Sequence, residues 1–410
     1  MSRNNLLGNI PTQLGSLRSL QVLEFSHNKL SGPIPQEIGN LISLSTLALS
    51  DNNFSGSIPD SIGKLGNLTI LFLDENKISG SIPSSIGNLS KLIQLNLRVN
   101  NLGGFLPTGM NNLTFLTYLR LSDNDFVGQL PQEICNSQAL VNFTAANNHF
   151  TGPIPRSLIN CSSLYRVRLD NNLLKGHITN ALGVYPYLDF LELSNNELYG
   201  HIPHELGALS SLQKLNIAGN HLNGSIPIQL GECSSLLFLN LSRNNLEKSI
   251  PIEIRNLQSL QHLDLSQNLL TGNIPGQLGL LNRLEILNLS HNQLWGSIAS
   301  TFDDMMSLTS IDISYNELEG SLPNIPAFHN ATIEVVRGNK GLCGVIASLS
   351  PCTTTTTSKG RNNNKKLVLL LIPILGCLFC SLLVVGAMSV GFRRVRKTEA
   401  SFIDGSNENP

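Results

Sequence analysis

Apolar residues recur along this chain at fixed distances from an asparagine. Around Asn28 the unit reads Leu17, Leu20, Leu23, Phe25, Asn28, Leu30, Gly32, Ile34, Pro35. The same frame returns as Leu89, Leu92, Leu95, Leu97, Asn100, Leu102, Gly104, Leu106, Pro107, and again from Leu257 to Pro275 around Asn268. The asparagine recurs at a fixed interval, without slippage, at 14 positions that run Asn4, Asn28, Asn52 and onward to Asn316. The Leu-x-Leu pair predicts a short strand with two inward side chains, because side chains alternate along a strand. The asparagine sits where the chain turns, and its amide can satisfy backbone groups that a bend leaves unpaired. The glycine allows the next bend, and the residue before proline is pushed toward an extended conformation. No unit can bury its apolar face alone, so neighbours must stack. At about 4.8 Å per strand the stack is about 65 Å long.

This frame resembles the plant-type leucine-rich repeat, whose mark is the G-x-I-P segment. The resemblance implies an α/β-type repeat solenoid, a superhelix of 24-residue units with about 14 repeats spanning residues 1–323. Solenoids of this kind are generally extracellular and twisted.

The repeats give way after Pro323 to Gly338-Asn339-Lys340-Gly341-Leu342-Cys343-Gly344, with Cys352 nine residues beyond Cys343. A solenoid end exposes a sheet edge and an apolar cross-section, so residues 324–352 are expected to form a cap. A Cys343–Cys352 disulfide is its expected staple, and the segment resembles the closing cap of plant leucine-rich-repeat receptors. A polar linker follows at 353–366, then 26 uncharged residues at 367–392, long enough for one transmembrane helix, then a basic tail at 393–410. Four basic residues precede the span and four follow it, so charge leaves its orientation open. Ten N-x-S/T sequons all precede the span. Asn53, Asn67, Asn88, Asn112, Asn160, Asn223 and Asn330 are the expected glycosylation sites; Asn142, Asn240 and Asn288 complete the set. With the capping disulfide they put the solenoid outside the plasma membrane. Cys135, Cys161 and Cys233 are expected as three buried thiols acting as small hydrophobes. Cys377 and Cys380 lie inside the span.

Composition narrows the function. With 27 basic and 28 acidic side chains the net charge is −1, which excludes the basic footprint of a typical nucleic-acid binder. Charged residues are 13% of the chain, about half the usual share. Nine histidines occur without ligand spacing, so neither a metal nor a cofactor is expected. No phosphate loop and no kinase signature is present, so the chain is expected to have no enzymatic activity.

Several stretches resemble the receptor-like Ser/Thr kinases of plants, nearest the subfamily of the MDIS1-interacting receptor-like kinase 2. They are Asn142-Phe143-Thr144, the run from Asn147 to Gly152, the run from Asn160 to Leu169, and Gly183-Val184-Tyr185-Pro186-Tyr187-Leu188. A member of that family carries a signal peptide, an N-terminal cap, further repeats and a cytoplasmic kinase domain. The chain is therefore expected to be a fragment of such a receptor or a truncated gene product. The resemblance implies an extracellular peptide or protein ligand and a shorter leucine-rich-repeat co-receptor kinase as partners.

Outward strand positions lie six and four residues before each asparagine and should line the concave sheet. There the middle repeats collect Tyr118, Arg120, Asn142, Arg166, Arg168, Phe190 and Glu192, the candidate ligand-binding residues. Arg166 and Arg168 point the same way, about 7 Å apart along one strand. Two guanidiniums so placed can clamp a carboxylate, and the pair resembles the one that peptide-hormone receptors use for a peptide's C-terminal carboxylate. The competing expectation is a solvated pair bridging to Asp170 and Glu192. Two functions follow: a receptor ectodomain in a receptor-like kinase signalling system, or a kinase-less decoy or other non-signalling binding protein.

Overall fold

The computed structural model describes residues 1–178, 185–344, 346 and 349–352. The expected linker, span and tail (353–410) lie outside the described residues. Among the described residues no helix is long and apolar enough to cross a membrane. Residues Met1–Cys352 form one compact unit.

Each repeat supplies one strand to each of two parallel sheets. Among the described residues the first sheet has 13 strands, from Val22–Glu24 to Ser310–Asp312, and the second has 15, from Leu7–Gly8 to Gly341–Cys343. Within the first sheet every residue pairs with the one a single repeat away: Val22 with Thr46, Leu23 with Leu47, Glu24 with Ala48. The central residue of each three-residue strand points into the core, where Leu47, Leu71 and Leu95 have no exposed surface. The two flanking residues face outward, which makes this sheet the concave side of the stack.

The helical side is built from short 3-10 turns such as Gln36–Asn40 and Asp60–Lys64, each opened by a proline (Pro35, Pro59) with φ of −71°. Among the described residues the single α-helix is Pro326–His329, in the cap. The tight turns stack closely: a Cβ at Gly39 would run into the carbonyl oxygen of Ser61 in the next repeat.

The repeating asparagine closes each turn in the same way. Asn196 Nδ2 donates to the carbonyls of Leu169, Leu193 and Ser194 at 3.0–3.2 Å, while its Oδ1 accepts the N–H of Leu174 at 3.0 Å. One side chain thus satisfies backbone groups of two neighbouring repeats that no strand pairs. The ladder runs one rung beyond the last repeat. Asn339 stands one place short of the register that follows Asn316. It donates to Ile313 and Val336 at 3.0 and 2.9 Å and accepts the N–H of Leu318 at 3.0 Å. The cap therefore joins the solenoid through the same bonds, covers it with the buried Ile325 and Phe328, and is closed by the expected Cys343–Cys352 disulfide.

The cysteines require a correction. Cys135 and Cys161 are joined in a disulfide with Cα atoms 5.8 Å apart, so Cys233 is the free thiol among the described residues. Between strands Asp125–Gln129 and Asn142–Thr144 no 3-10 helix forms. The chain there runs through irregular turns, with Gln138 at φ 57°. That local departure brings Cys135 beside Cys161, although their sequence separation of 26 is longer than one repeat. Burial pushes the Cys233 thiol up to about 11, which leaves it protonated and inert.

One glycine position of the repeat is held by a non-glycine residue. Gly32 and Gly56 adopt φ 74°, their glycine counterparts in the other repeats are likewise positive, and Lys248 stands in that register with φ 63°. A left-handed conformation costs a non-glycine residue about 1–2 kcal/mol, whereas glycine loses about 0.5–1 kcal/mol of backbone entropy on folding. Lys248→Gly is expected to stabilise the fold by a net amount of about 0.5–1 kcal/mol, read as a higher urea midpoint.

Candidate ligand-binding face

Strand register carries the candidate residues to one face. Tyr118 pairs with Asn142, Asn142 with Arg166, and Arg166 with Phe190, while Arg120, Thr144, Arg168 and Glu192 follow in the parallel row. The structure thus brings the seven predicted residues together over four adjacent strands, each flanking an inward hydrophobe.

Their bonds differ from residue to residue. The Arg166 guanidinium lies over the Phe190 ring, 4.7 Å from its centroid, which leaves its edge N–H donors facing outward. Arg168 is held by two bonds to Asp170, Nε to Oδ1 at 3.2 Å and Nη2 to Oδ2 at 3.1 Å. Burial lowers the Arg168 pKa, but its hydrogen bond and charge interaction with Asp170, aided by Glu192 and Asp123, outweigh this and raise it overall. The pair is therefore not symmetric: one arginine is stacked and open, the other braced by a buried carboxylate. Asp170 supplies the expected bridge, whereas Glu192 does not. Glu192 is buried, pairs with Lys214 at 2.9 Å and accepts the Ser194 hydroxyl at 2.9 Å.

Arg120 lies 5.8 Å from the Tyr118 ring centroid. Between the two arginine-bearing strands, the buried Oδ1 of Asn142 has no hydrogen-bond partner.

The row continues beyond the predicted set. Lys214 sits between two rings, 4.7 Å from Phe190 and 4.9 Å from Phe238, and Phe238 stacks on His262 at 4.4 Å. Arg166, Phe190, Lys214, Phe238 and His262 thus form one alternating stack of cations and rings across five strands. Burial lowers the His262 pKa; Asp264 opposes this and Lys214 adds to it. The signal for Lys214, Phe238 and His262 was present in the outward row itself, where rings and cations alternate. The seven expected glycosylation asparagines are all exposed. Among the described residues no group of three or more His, Cys, Asp or Glu is placed to hold a metal ion.

The pattern described as "Leucine-rich repeat region" matches residues 5–103, and "Leucine Rich Repeat" matches seven further segments between residues 115 and 328. No curated protein sequence matches the chain. Among solved structures, PEPR1–AtPEP1 is 36% identical with a TM-score of 0.76, over 84% of this chain and 50% of that one. The plant peptide hormone receptor RGFR1 in complex with RGF2 is 29% identical with a TM-score of 0.66, over 84% of this chain and 71% of that one. A TDR receptor is 31% identical with a TM-score of 0.56, over 85% and 72% of the two chains. The chain belongs to the leucine-rich-repeat family, among the ectodomains of plant-type receptors. It spans about half the length of the PEPR1 chain.

Proposed function

We propose that this chain is the ligand-binding part of a plant cell-surface receptor and takes an extended peptide on its concave sheet. The observation that carries this reading is the arginine pair, with Arg166 stacked on Phe190 and presenting its donors, and Arg168 braced by Asp170 beside it. A guanidinium held in place by a ring or a carboxylate loses little rotamer freedom when it binds an anion. The peptide's C-terminal carboxylate is the group we assign to this pair. Similarity to PEPR1–AtPEP1 and to RGFR1 bound to RGF2 supports a peptide ligand.

The remaining parts of the reading are proposals of the same kind. The apolar stretch 367–392 anchors the solenoid outside the plasma membrane in a single pass. A shorter leucine-rich-repeat co-receptor kinase docks near the C-terminal repeats, and phosphate transfer belongs to the wider receptor-like kinase system rather than to this chain. Membership of the MDIS1-interacting receptor-like kinase 2 subfamily rests on the stretches from Asn142 to Leu188.

The test compares short peptides ending in a free carboxylate with the same peptides amidated. Arg166→Ala is expected to weaken the free-acid form by about tenfold to a hundredfold, the range of a charge-assisted hydrogen bond. It should leave the amidated form unchanged. Equal affinity of the variant and the wild type for the free acid would remove the carboxylate from the site.

A further inference from the structure

A cleft of about 580 Å³ opens on the flank of the solenoid, between the second sheet and the 3-10 turns. None of its lining belongs to the concave sheet. Three basic side chains border it. His201 ends the strand Glu197–His201, His204 opens the turn His204–Ala208, and Lys248 ends the strand Asn245–Lys248 two repeats on. Among the described residues no carboxylate lines it. The rest of the wall is largely aliphatic, with Pro203, Pro227 and the exposed Ile228.

The lysine departs from the repeat. Every other unit, from Gly8 to Gly320, carries glycine in its place. Lys248 takes the left-handed φ of 63° there, which glycine adopts without steric cost and a side chain does not. Its ammonium has no ion-pair partner among the described residues. Other lysines of the flanks and face are neutralised: Lys175 by Glu197 at 2.9 Å, Lys214 by Glu192 at 2.9 Å, Lys340 by Glu317 at 2.7 Å. The two histidines are each fixed through one nitrogen. His201 Nδ1 lies 3.3 Å from the Asn223 carbonyl oxygen. A carbonyl only accepts, so Nδ1 carries the hydrogen and Nε2 is left open. His204 Nδ1 lies 3.5 Å from Glu205 Oε2, which stands outside the lining.

We infer that this cleft is a second binding site, separate from the concave face, for a small amphipathic acid. Its oxyanion is held by the Lys248 ammonium and the two imidazoles, and its aliphatic body lies against Pro203, Pro227 and Ile228. An unpaired ammonium beside two imidazoles is a charge-assisted donor set for an oxyanion. The cleft is far larger than an inorganic anion and falls in the size range of sites for small organic ligands. No Phe, Tyr or Trp lines it among the described residues, so a neutral sugar finds no platform to stack on. Carboxylate and phosphate heads suit the donors equally. The inference does not rest on the peptide reading. An anion in the cleft favours the charged form of both imidazoles, so binding draws in protons. The other ionisable groups about them are Glu205 beside His204, Glu247 beside Lys248, and His177, whose ring packs edge-on against Tyr199. His201→Gln leaves all three in place.

The probes are octanoate and octyl phosphate, titrated calorimetrically onto the full chain. Octanol, which lacks the anion, and inorganic phosphate, which lacks the body, are the controls. One or both acids are expected to bind about tenfold or more tightly than either control, and the tighter of the two names the head group. Lys248→Gly restores the residue of the other repeats and is expected above to stabilise the fold. It should nevertheless lose about tenfold or more in affinity for the acid, a loss that unfolding cannot explain. His201→Gln keeps a donor for the Asn223 carbonyl. It should flatten the tightening of octanoate binding that the wild type shows from about pH 7.5 to about pH 6. Equal affinity of Lys248→Gly and the wild type overturns the site. Octanol bound as tightly as octanoate overturns the oxyanion. Inorganic phosphate bound as tightly as octyl phosphate means an adventitious ion only, and overturns the amphipathic ligand. A wild-type chain that takes up no probe overturns the inference outright.

Discussion

Asn220→Ala is expected to destabilise the solenoid by about 4 kcal/mol, although it removes only a small polar side chain. Asn220 Nδ2 donates to the carbonyls of Leu193, Ile217 and Ala218 at 3.1–3.2 Å, and its Oδ1 accepts the N–H of Leu198 at 3.1 Å. Alanine leaves that N–H buried and unpaired, which costs about 1–3 kcal/mol, and withdraws a donor from three carbonyls. No water can repair the loss cheaply, because Asn220 is 5% exposed and its surroundings are leucine and isoleucine. Two repeats lose bonds at once, since Leu198 belongs to the strand preceding the turn that Asn220 closes. In a stack stabilised by nearest-neighbour contacts, weakening one interface in the middle uncouples the halves. Urea unfolding followed by circular dichroism should show a lower midpoint and a broader transition. Asn245→Ala, at an exposed neighbour, is the control and should fall within about 0.5 kcal/mol of the wild type. Equal midpoints for the two variants would show that the ladder contributes nothing.

The ladder was legible because a strict period places identical side chains above one another, and a turn that must satisfy its own backbone admits few residue types. The same logic located the outward positions of the concave strands, and hence Tyr118, Arg166 and Phe190 on one face. It could not choose among partners on that face. Each outward side chain has neighbours above, below and along its own strand, and the sequence pattern ranks them equally. Glu192 was expected to meet an arginine, but Lys214 on the following strand reaches it, while Arg168 turns along its own strand to Asp170. Asn339 escaped the pattern because the cap shortens the period by one place and has no Leu-x-Leu pair before it.

The bond between Cys135 and Cys161 is where a strict period misleads most, and its removal is expected to be the second costly change. In register, Cys161 aligns with Cys233, and Cys135 falls two places earlier in its own repeat. Periodicity therefore sets the two apart, and only the missing 3-10 turn before Asn142–Thr144 brings them together. That turn is what other repeats use to stack on their convex side, so the disulfide holds the stack where the regular contact is lost. Closing a loop with a sequence separation of 26 removes chain entropy from the unfolded state. By the loop-entropy relation this amounts to about 3.5 kcal/mol at room temperature. Cys135→Ala with Cys161→Ala should lower the urea midpoint accordingly. Cys233→Ala, which only trims a buried thiol, should cost about 1 kcal/mol. Alkylation of the denatured, unreduced chain should label Cys233 and spare Cys135 and Cys161. Label on Cys135 would refute the disulfide. An unchanged midpoint in the double variant would mean that the irregular repeat is held by its packing alone. The unstapled stack would loosen beside Asn142, whose strand lies between those bearing Arg120 and Arg166, so the same variant should also weaken peptide binding without touching a ligand-facing side chain.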